Sequence, residues 1–254
     1  MKPTAVVTGA SAGLGVEFAR QLAAKGYDLV LVARSQDALE RLAAELHNAH
    51  GADVEIMAVD LATEAGVHKV VTRVSDAARP VSVLVNNAGH GLGARFVRND
   101  INAEVAALDL MVKTLMVLSH AAAQAMMAQG KGAILNVSSV ASWLGNGTYA
   151  AHKAWVTSFT EGLAGELKGT GVTATAVLPG LTRTQFHDRP GVQKFEGVPQ
   201  AAWLKAPFVV RAALRAMERG KVLVTPSVRY GVGASIARVL PRTLLRPLTR
   251  RSSV

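Results

Sequence analysis

The sequence predicts an α/β fold, a single doubly wound parallel sheet of about seven strands with helices on both faces. Three observations carry this. Seven short apolar runs, at residues 5–7, 29–32, 54–58, 81–85, 133–137, 172–177 and 222–224, recur along the 254-residue chain. They are continuous in Val, Leu and Ala and lack the polar alternation of a half-exposed strand, as in strands covered on both sides. Segments of helical period separate them, so each connection is a right-handed crossover that lays its helix on a sheet face.

The first strand, 5–7, empties into Thr8-Gly9-Ala10-Ser11-Ala12-Gly13-Leu14-Gly15, which opens a helix over 13–25. Gly9, Gly13 and Gly15 omit side chains where the backbone must turn tightly and approach a pyrophosphate, and the helix start offers N–H donors and a positive dipole end. A glycine-rich turn alone also serves any tight βα connection. Here it lies between a strand and a helix near the chain start, the context of a Rossmann-type dinucleotide site. The second strand ends at Ala33-Arg34-Ser35. A carboxylate there would accept hydrogen bonds from the adenosine ribose, as NAD requires. Arg34 can instead pair with a 2′-phosphate, with Ser35 as a further donor, so NADP(H) is the expected cofactor. The competing reading of Arg34 is a solvated strand-end charge.

Helical period continues over 36–50 and 64–77, on either side of the third strand, and the fourth strand runs into Asn86-Asn87-Ala88-Gly89. A long helix over 102–129 leads to the fifth strand, and helices over 149–168 and 207–219 frame the sixth. Tyr149-Ala150-Ala151-His152-Lys153 places Tyr149 and Lys153 at i, i+4 on one helix face. A cation beside a phenol stabilises phenolate and lowers its pKa. Tyr149 is thereby a candidate general acid for a carbonyl oxygen, or base for an alcohol.

With these motifs in this order, the chain resembles the short-chain dehydrogenase/reductase family from residue 4 to about residue 224. The resemblance implies an oxidoreductase that moves hydride between nicotinamide C4 and a carbonyl or alcohol carbon. Tyr149 would transfer the proton, and Lys153 would tune it and hold the nicotinamide ribose. The adenine-contacting acid matches Asp60, followed by Leu61, and the family's Asn-Asn-Ala-Gly brings Asn87, Ala88 and Gly89 to the cofactor. The loop bordering the nicotinamide matches Pro179-Gly180-Leu181-Thr182-Arg183-Thr184, with Thr184 meeting the carboxamide. On this resemblance Gly9, Ser11, Gly13, Leu14, Gly15, Arg34, Ser35, Pro179, Gly180, Thr182 and Thr184 all belong to the cofactor site.

Two departures stand out. Alignment places Met111 where the family keeps an Asn that links the Lys to solvent protons; a thioether cannot donate a hydrogen bond and accepts one poorly. Slowed proton resupply is one expectation for Met111, and a packed core residue is the other. The polarising serine is assigned to Ser139, which stands 10 residues before Tyr149, closer than the family's usual spacing. Ser139 is preferred over Ser138, with Ser142 open if the shortened loop has re-threaded.

By the same resemblance, residues 183–205 form a lid over the substrate. Phe186, Phe195 and Trp203, with Trp143 and Leu144, would line an apolar pocket for a hydrophobic ketone, aldehyde or alcohol, or else pack the lid onto the body. The helices at 102–129 and 149–168 are apolar over more than one face, and relatives pair them, so a homodimer or homotetramer is expected. A different class of function also fits: an NADP(H)-binding sensor or scaffold with catalysis weakened at Met111 and the short loop.

Composition narrows the rest. The formal net charge is +10, yet residues 1–204 carry 17 basic and 17 acidic side chains, and residues 205–254 carry 11 basic ones against Glu218 alone. The surplus therefore belongs to the C-terminal end. Without interleaved aromatics beyond Tyr230 it does not suggest nucleic-acid binding. Residues 1–230 read as the catalytic domain and 231–254 as a basic, apolar extension. Its stretch 232–251 is either packed or solvated, or makes peripheral contact with an anionic membrane. With no cysteine there is no disulfide, thiolate metal site or cysteine nucleophile, which fits a cytoplasmic setting. The N-terminal apolar run is too short for a signal peptide. The weakly polar stretch 115–128 is broken by Ser119, His120 and Gln124 and falls short of the roughly 20 apolar residues of a membrane span. His47 and His50 read as solvated histidines at a helix end rather than zinc ligands.

Overall fold

In the computed structural model, which describes residues 2–92, 95–145, 147–184 and 199–239, the apolar runs become strands close to their expected limits. These are β1 (Thr4–Thr8), β2 (Asp28–Ala33), β3 (Val54–Ala58), β4 (Val81–Asn86), β5 (Gly132–Val137) and β6 (Val172–Val177). Three further two-residue strands follow: β7 (Thr182–Arg183), β8 (Leu204–Lys205) and β9 (Leu223–Val224). The main sheet has the order β3-β2-β1-β4-β5-β6-β9 and all its pairings are parallel. The order reverses between β1 and β4, so the crevice beyond their carboxyl ends is the topological switch point where such sheets bind ligands.

The helices are α1 (Gly13–Ala24), α2 (Gln36–His50), α3 (Glu64–Val74), α4 (Ile101–Leu108), α5 (Thr114–Gln129), α6 (Gly147–Glu166), α7 (Ala206–Glu218) and α8 (Val228–Val239). The absence of polar alternation in the strands has a direct cause. On one face Val7, Leu31, Val85 and Leu135 pack with Phe18 and Leu22 of α1, Leu39 of α2 and Leu214 of α7. On the other face Val6, Val30, Leu84 and Ile134 pack with Val70 of α3 and Leu118 and Met126 of α5. Each such side chain stabilises the fold by about 2 kcal/mol through removal from water. Both faces are covered, so neither set can be polar.

α4 and α5 belong to one continuous helix, Ile101–Gln129. It is interrupted by a single π-helical turn, Asp109–Lys113, where the Thr114 N–H bonds the Asp109 carbonyl. By length and composition this helix could cross a membrane, which the reading of 115–128 alone did not anticipate. Its inner face is committed to the sheet instead, and Ser119, one of the polar interruptions, is fully buried there. α8 and the β7–β8 pair were not expected as separate elements. His47 and His50 lie exposed in the last turn of α2, and among the described residues no cluster of three metal-ligating side chains forms.

Candidate active site

The carboxyl ends of β1 and β4 are stitched together by side chains. The Thr8 hydroxyl donates to the Val85 carbonyl (3.2 Å) and accepts from the backbone N–H groups of Asn87 (2.9 Å) and Ala88 (3.1 Å). The Asn87 side-chain amide donates back to the carbonyls of Thr8 (2.9 Å) and Gly9 (3.2 Å). Asn87 is thus a brace, and Thr8 is a second brace that motif reading did not single out. Its signal is a hydroxyl at the buried end of an otherwise aliphatic strand.

The turn needs its glycines. Gly9 has φ +67°, and a Cβ there would lie 2.9 Å from the Ala88 Cα; a Cβ on Gly15 would lie 2.1 Å from the Gly9 carbonyl oxygen. At Gly13, φ +58°, a Cβ would meet the Thr184 side chain at 3.2 Å, so the loop that ends at Thr184 closes over the turn. α1 begins after Ala12, which supplies no side-chain cap, and has no acid in its first turn, leaving its leading N–H groups available to an anion. Leu14 packs against the core, so its side chain faces away from this cradle. A cavity of about 510 Å³ adjoins it, lined among others by Ser11, Gly13, Arg41, Arg183 and Thr184. The bare cradle and open helix end fit the pyrophosphate of a dinucleotide.

Arg34 and Ser35 stand exposed at the end of β2, and the Ser35 hydroxyl makes no cap bond to α2. Asp60 follows β3, and one of its carboxylate oxygens accepts the Ala62 N–H at 2.9 Å. Leu61 is core: its side chain is buried with Val70 and Leu118, and its carbonyl accepts the Thr114 hydroxyl at 2.8 Å. The Leu61 side chain is thus withdrawn into the core and away from a nucleotide.

Ser139, Tyr149 and Lys153 converge. Ser139 follows β5 and caps a single 3₁₀ turn, Val140–Trp143, with its hydroxyl accepting the Ala141 N–H at 3.1 Å. That hydroxyl also hydrogen-bonds the Tyr149 phenol. Lys153, one turn further along α6, donates to the Val137 carbonyl at 2.7 Å and sits 5.8 Å from the Tyr149 ring centre. Burial pushes the Tyr149 phenol up to about 12, against the lowering effect of Ser139, and pushes the Lys153 ammonium down to about 8. The i, i+4 spacing suggested a depressed phenol. In the folded chain desolvation dominates both groups, and Tyr149 rests protonated, poised as an acid.

The three serines are placed differently. The Ser138 hydroxyl points into α6, donating to the Lys153 carbonyl (2.8 Å) and pairing with Thr157 (2.7 Å). Ser142 is buried with its hydroxyl unpaired, and its N–H donates to the Ser139 carbonyl. The shortened loop has tightened into the 3₁₀ turn without displacing Ser139 from Tyr149. Met111, in the π turn, is fully buried. A Cβ on Gly89 would meet its Cγ at 3.2 Å, its Sδ at 3.3 Å and the Lys153 ammonium at 3.7 Å. Its thioether therefore lies beside the site as well as in the core.

Some polar groups around the site escaped sequence reasoning. Asn86 and Asn136, register partners on β4 and β5, bond to each other at 2.9 Å. Asn86 also donates to Ser119 of α5 (3.0 Å), and Asn136 to Thr160 of α6 (2.9 Å). His152 is buried between the two key α6 residues, and burial pushes its imidazole down, opposed by Glu104.

On the other side of the crevice, Pro179 is buried and its carbonyl accepts the Val140 N–H at 3.0 Å. The Thr182 hydroxyl donates to the Gly180 carbonyl at 2.9 Å. β7 and β8 pair as the two stems of the expected lid, through Thr182 with Leu204 and Arg183 with Lys205. Arg183 also hydrogen-bonds Gln200 across the stems. Phe186 and Phe195 lie outside the described residues, as do residues 240–254 of the basic extension. Trp143 is half-buried and Leu144 exposed on the turn after Ser139.

A glycine cradle at the switch point, facing a Ser–Tyr–Lys cluster, defines a dinucleotide-dependent oxidoreductase. Comparison with known proteins agrees. The short chain dehydrogenase profile matches residues 3–192. Sulfoacetaldehyde reductase 2 of Chromohalobacter salexigens is 35% identical over 191 residues, covering 73% of this chain and 75% of that protein. A short-chain dehydrogenase from Sphingobium yanoikuyae, solved in complex with NADPH, superposes with a TM-score of 0.84 at 32% identity, covering 94% of this chain and 97% of that one. A short-chain dehydrogenase/reductase from Burkholderia phymatum, solved with NAD, superposes with a TM-score of 0.80 at 26% identity, covering 92% of each chain. The protein belongs to the short-chain dehydrogenase family.

Proposed function

We propose that the protein is an NADP(H)-dependent oxidoreductase that interconverts a hydrophobic ketone or aldehyde and the corresponding alcohol. The observation that carries this is the convergence of Ser139 and Tyr149, both half-buried, with buried Lys153 beside the crevice that the glycine cradle opens. The nicotinamide, when bound, supplies or accepts the hydride. In the reductive direction the Ser139 hydroxyl donates a hydrogen bond to the substrate oxygen, and the Tyr149 phenol gives that oxygen its proton. The Lys153 ammonium offsets the negative charge left on Tyr149. Residues Gly9 to Gly15 take the pyrophosphate and Asp60 the adenine. Asn87, Ala88 and Gly89 line the path to the nicotinamide, which Pro179, Gly180, Thr182 and Thr184 border.

Arg34 and Ser35 support a 2′-phosphate and hence NADPH over NADH, since the strand end carries a guanidinium where an NAD binder carries a carboxylate. Half-buried Trp143 and exposed Leu144 support an apolar substrate. Steady-state oxidation of NADPH and of NADH against a panel of lipophilic carbonyls, with sulfoacetaldehyde as a charged control, tests both statements. Turnover of lipophilic members with NADPH preferred is the expected result. NADPH binding without turnover anywhere on the panel would replace this reading with that of a sensor or scaffold, which the thioether of Met111 beside Lys153 favours.

We further propose a homodimer or homotetramer. Ile101, Val105, Leu108 and Met116 are exposed on the Ile101–Gln129 helix, and Trp155 and Phe159 stack at 4.7 Å on α6. Light scattering that returns a monomer at micromolar concentration would end that proposal. For the basic extension, co-sedimentation with anionic liposomes compares the full chain with one ending at residue 230. Equal, negligible binding by both would leave a cytoplasmic protein without membrane contact.

A further inference from the structure

The C-terminal helix holds the β7–β8 pair from outside. α8 packs against the 3₁₀ turn that carries Ser139. From its first turn, Tyr230 reaches the loop on the far side of the crevice. The Tyr230 hydroxyl accepts the Leu181 N–H at 3.3 Å and donates to the Ala202 carbonyl at 3.0 Å. It thus joins the segment that runs into β7 to the one that runs into β8. Beside that bridge, the Leu204 N–H bonds the Leu181 carbonyl at 2.8 Å, and Arg229 donates to the Ala201 carbonyl at 2.8 Å. The Tyr230 ring occupies the space of an absent side chain: a Cβ on Gly180 would fall 2.3 Å from ring carbon Cε2. Gly180 is glycine because Tyr230 lies on it.

We infer that Tyr230 is a positioning residue for the 179–184 loop, setting where Thr182 and Thr184 stand by tying that loop to residues 201–204. This rests on the reading of that loop as the border of the nicotinamide. A phenol is suited to the task. Its ring gives a rigid flat contact to a glycine, and its single hydroxyl both accepts and donates, so one atom ties two backbone strands together. β7 and β8 make their strand pairing with each other and not with the main sheet, so backbone bonds of that sheet do not set their place.

The experiment is hydrogen–deuterium exchange on the full chain, apo and with saturating NADPH, comparing wild type with Tyr230→Phe, which keeps the ring and removes the bridge. The expected result is exchange at least tenfold faster in peptides spanning 180–184 and 201–205, with peptides of β4 and β5 unchanged. In turnover, using the best carbonyl of the panel, kcat should fall roughly three- to tenfold while the Kd for NADPH stays within about twofold, because a hydrogen bond is worth about a factor of two to ten net and only part of that loss reaches the reacting groups. Unchanged exchange at the stems overturns the inference. So does uniform acceleration across the sheet, which would make Tyr230 a contributor to global stability only. If wild type turns over no carbonyl, the oxidoreductase reading fails, while the exchange comparison still decides the role of Tyr230.

Discussion

The two sides of the crevice are held by different means. On the cofactor side, Thr8 and Asn87 lock the ends of β1 and β4 with five side-chain bonds to backbone, all between residues at the ends of those strands or just past them. Backbone atoms there approach so closely that only glycine fits at Gly9 and Gly15. On the substrate side, two-residue strands pair only with one another, and a phenol on a late helix ties them down. The first arrangement presents backbone to a ligand whose phosphates do not vary. The second joins segments far apart in sequence through side chains, with little backbone pairing of its own.

This contrast can be broken at graded cost. Tyr149→Phe removes the proton donor and leaves the cradle untouched, so kcat should fall about 10²- to 10⁴-fold with NADPH binding preserved, read by stopped-flow turnover and by titration of NADPH fluorescence. Gly15→Ala attacks the other side. With a Cβ only 2.1 Å from the Gly9 oxygen, the turn must move. Loss of NADPH binding by more than tenfold and destabilisation of about 1–3 kcal/mol should follow, measured by titration and urea unfolding. Arg34→Ala should weaken NADPH by about ten- to a hundredfold, the worth of one charge-assisted hydrogen bond, and leave NADH unchanged. Equal effects on both cofactors would remove the 2′-phosphate from the account.

Smaller effects belong to the proton path. Lys153 holds its charge below about pH 8 because burial has lowered its pKa from 10.5. The sign follows: carbonyl reduction should be flat below that pH and decline above it, as the cation that offsets the Tyr149 anion is lost. A rate still rising at pH 9 would detach Lys153 from that role. Met111→Asn should restore a donor beside Lys153 and raise kcat a few-fold; no change would make Met111 a packing residue alone.

Much of this was legible in the sequence, for identifiable reasons. Strands buried on both faces announce themselves as continuous aliphatic runs, and β3 and β6 keep the limits read from the chain. That Ser139, Tyr149 and Lys153 come together was readable because their spacing is set by one loop and one helical turn. What escaped depends on contacts between distant residues. The rise in the Tyr149 pKa comes from burial that no local pattern encodes. β7 and β8 are too short to carry a period, and their pairing joins residues 182–183 to 204–205. Tyr230 looked like a stray aromatic at the edge of a basic tail, because its partners lie 28 and 49 residues away. The π turn leaves no compositional mark, since Asp109 to Lys113 suit an α-helix equally well.

The asparagine pair at the centre of the sheet bears on how this protein could be re-engineered. Ser119, Asn86, Asn136 and Thr160 form one buried polar wire from α5 through β4 and β5 to α6. Each amide has a single set of partners, so sliding β4 against β5 by one residue, or rotating α6 about its axis, would strand several buried donors at once. The rotation of α6 decides where the Tyr149 phenol points. Swapping loops and lids between relatives should therefore retune substrate choice while the acid stays aimed, provided the wire is transplanted whole or left alone. A graft that cuts it midway should lose the aim of Tyr149 before it loses the fold.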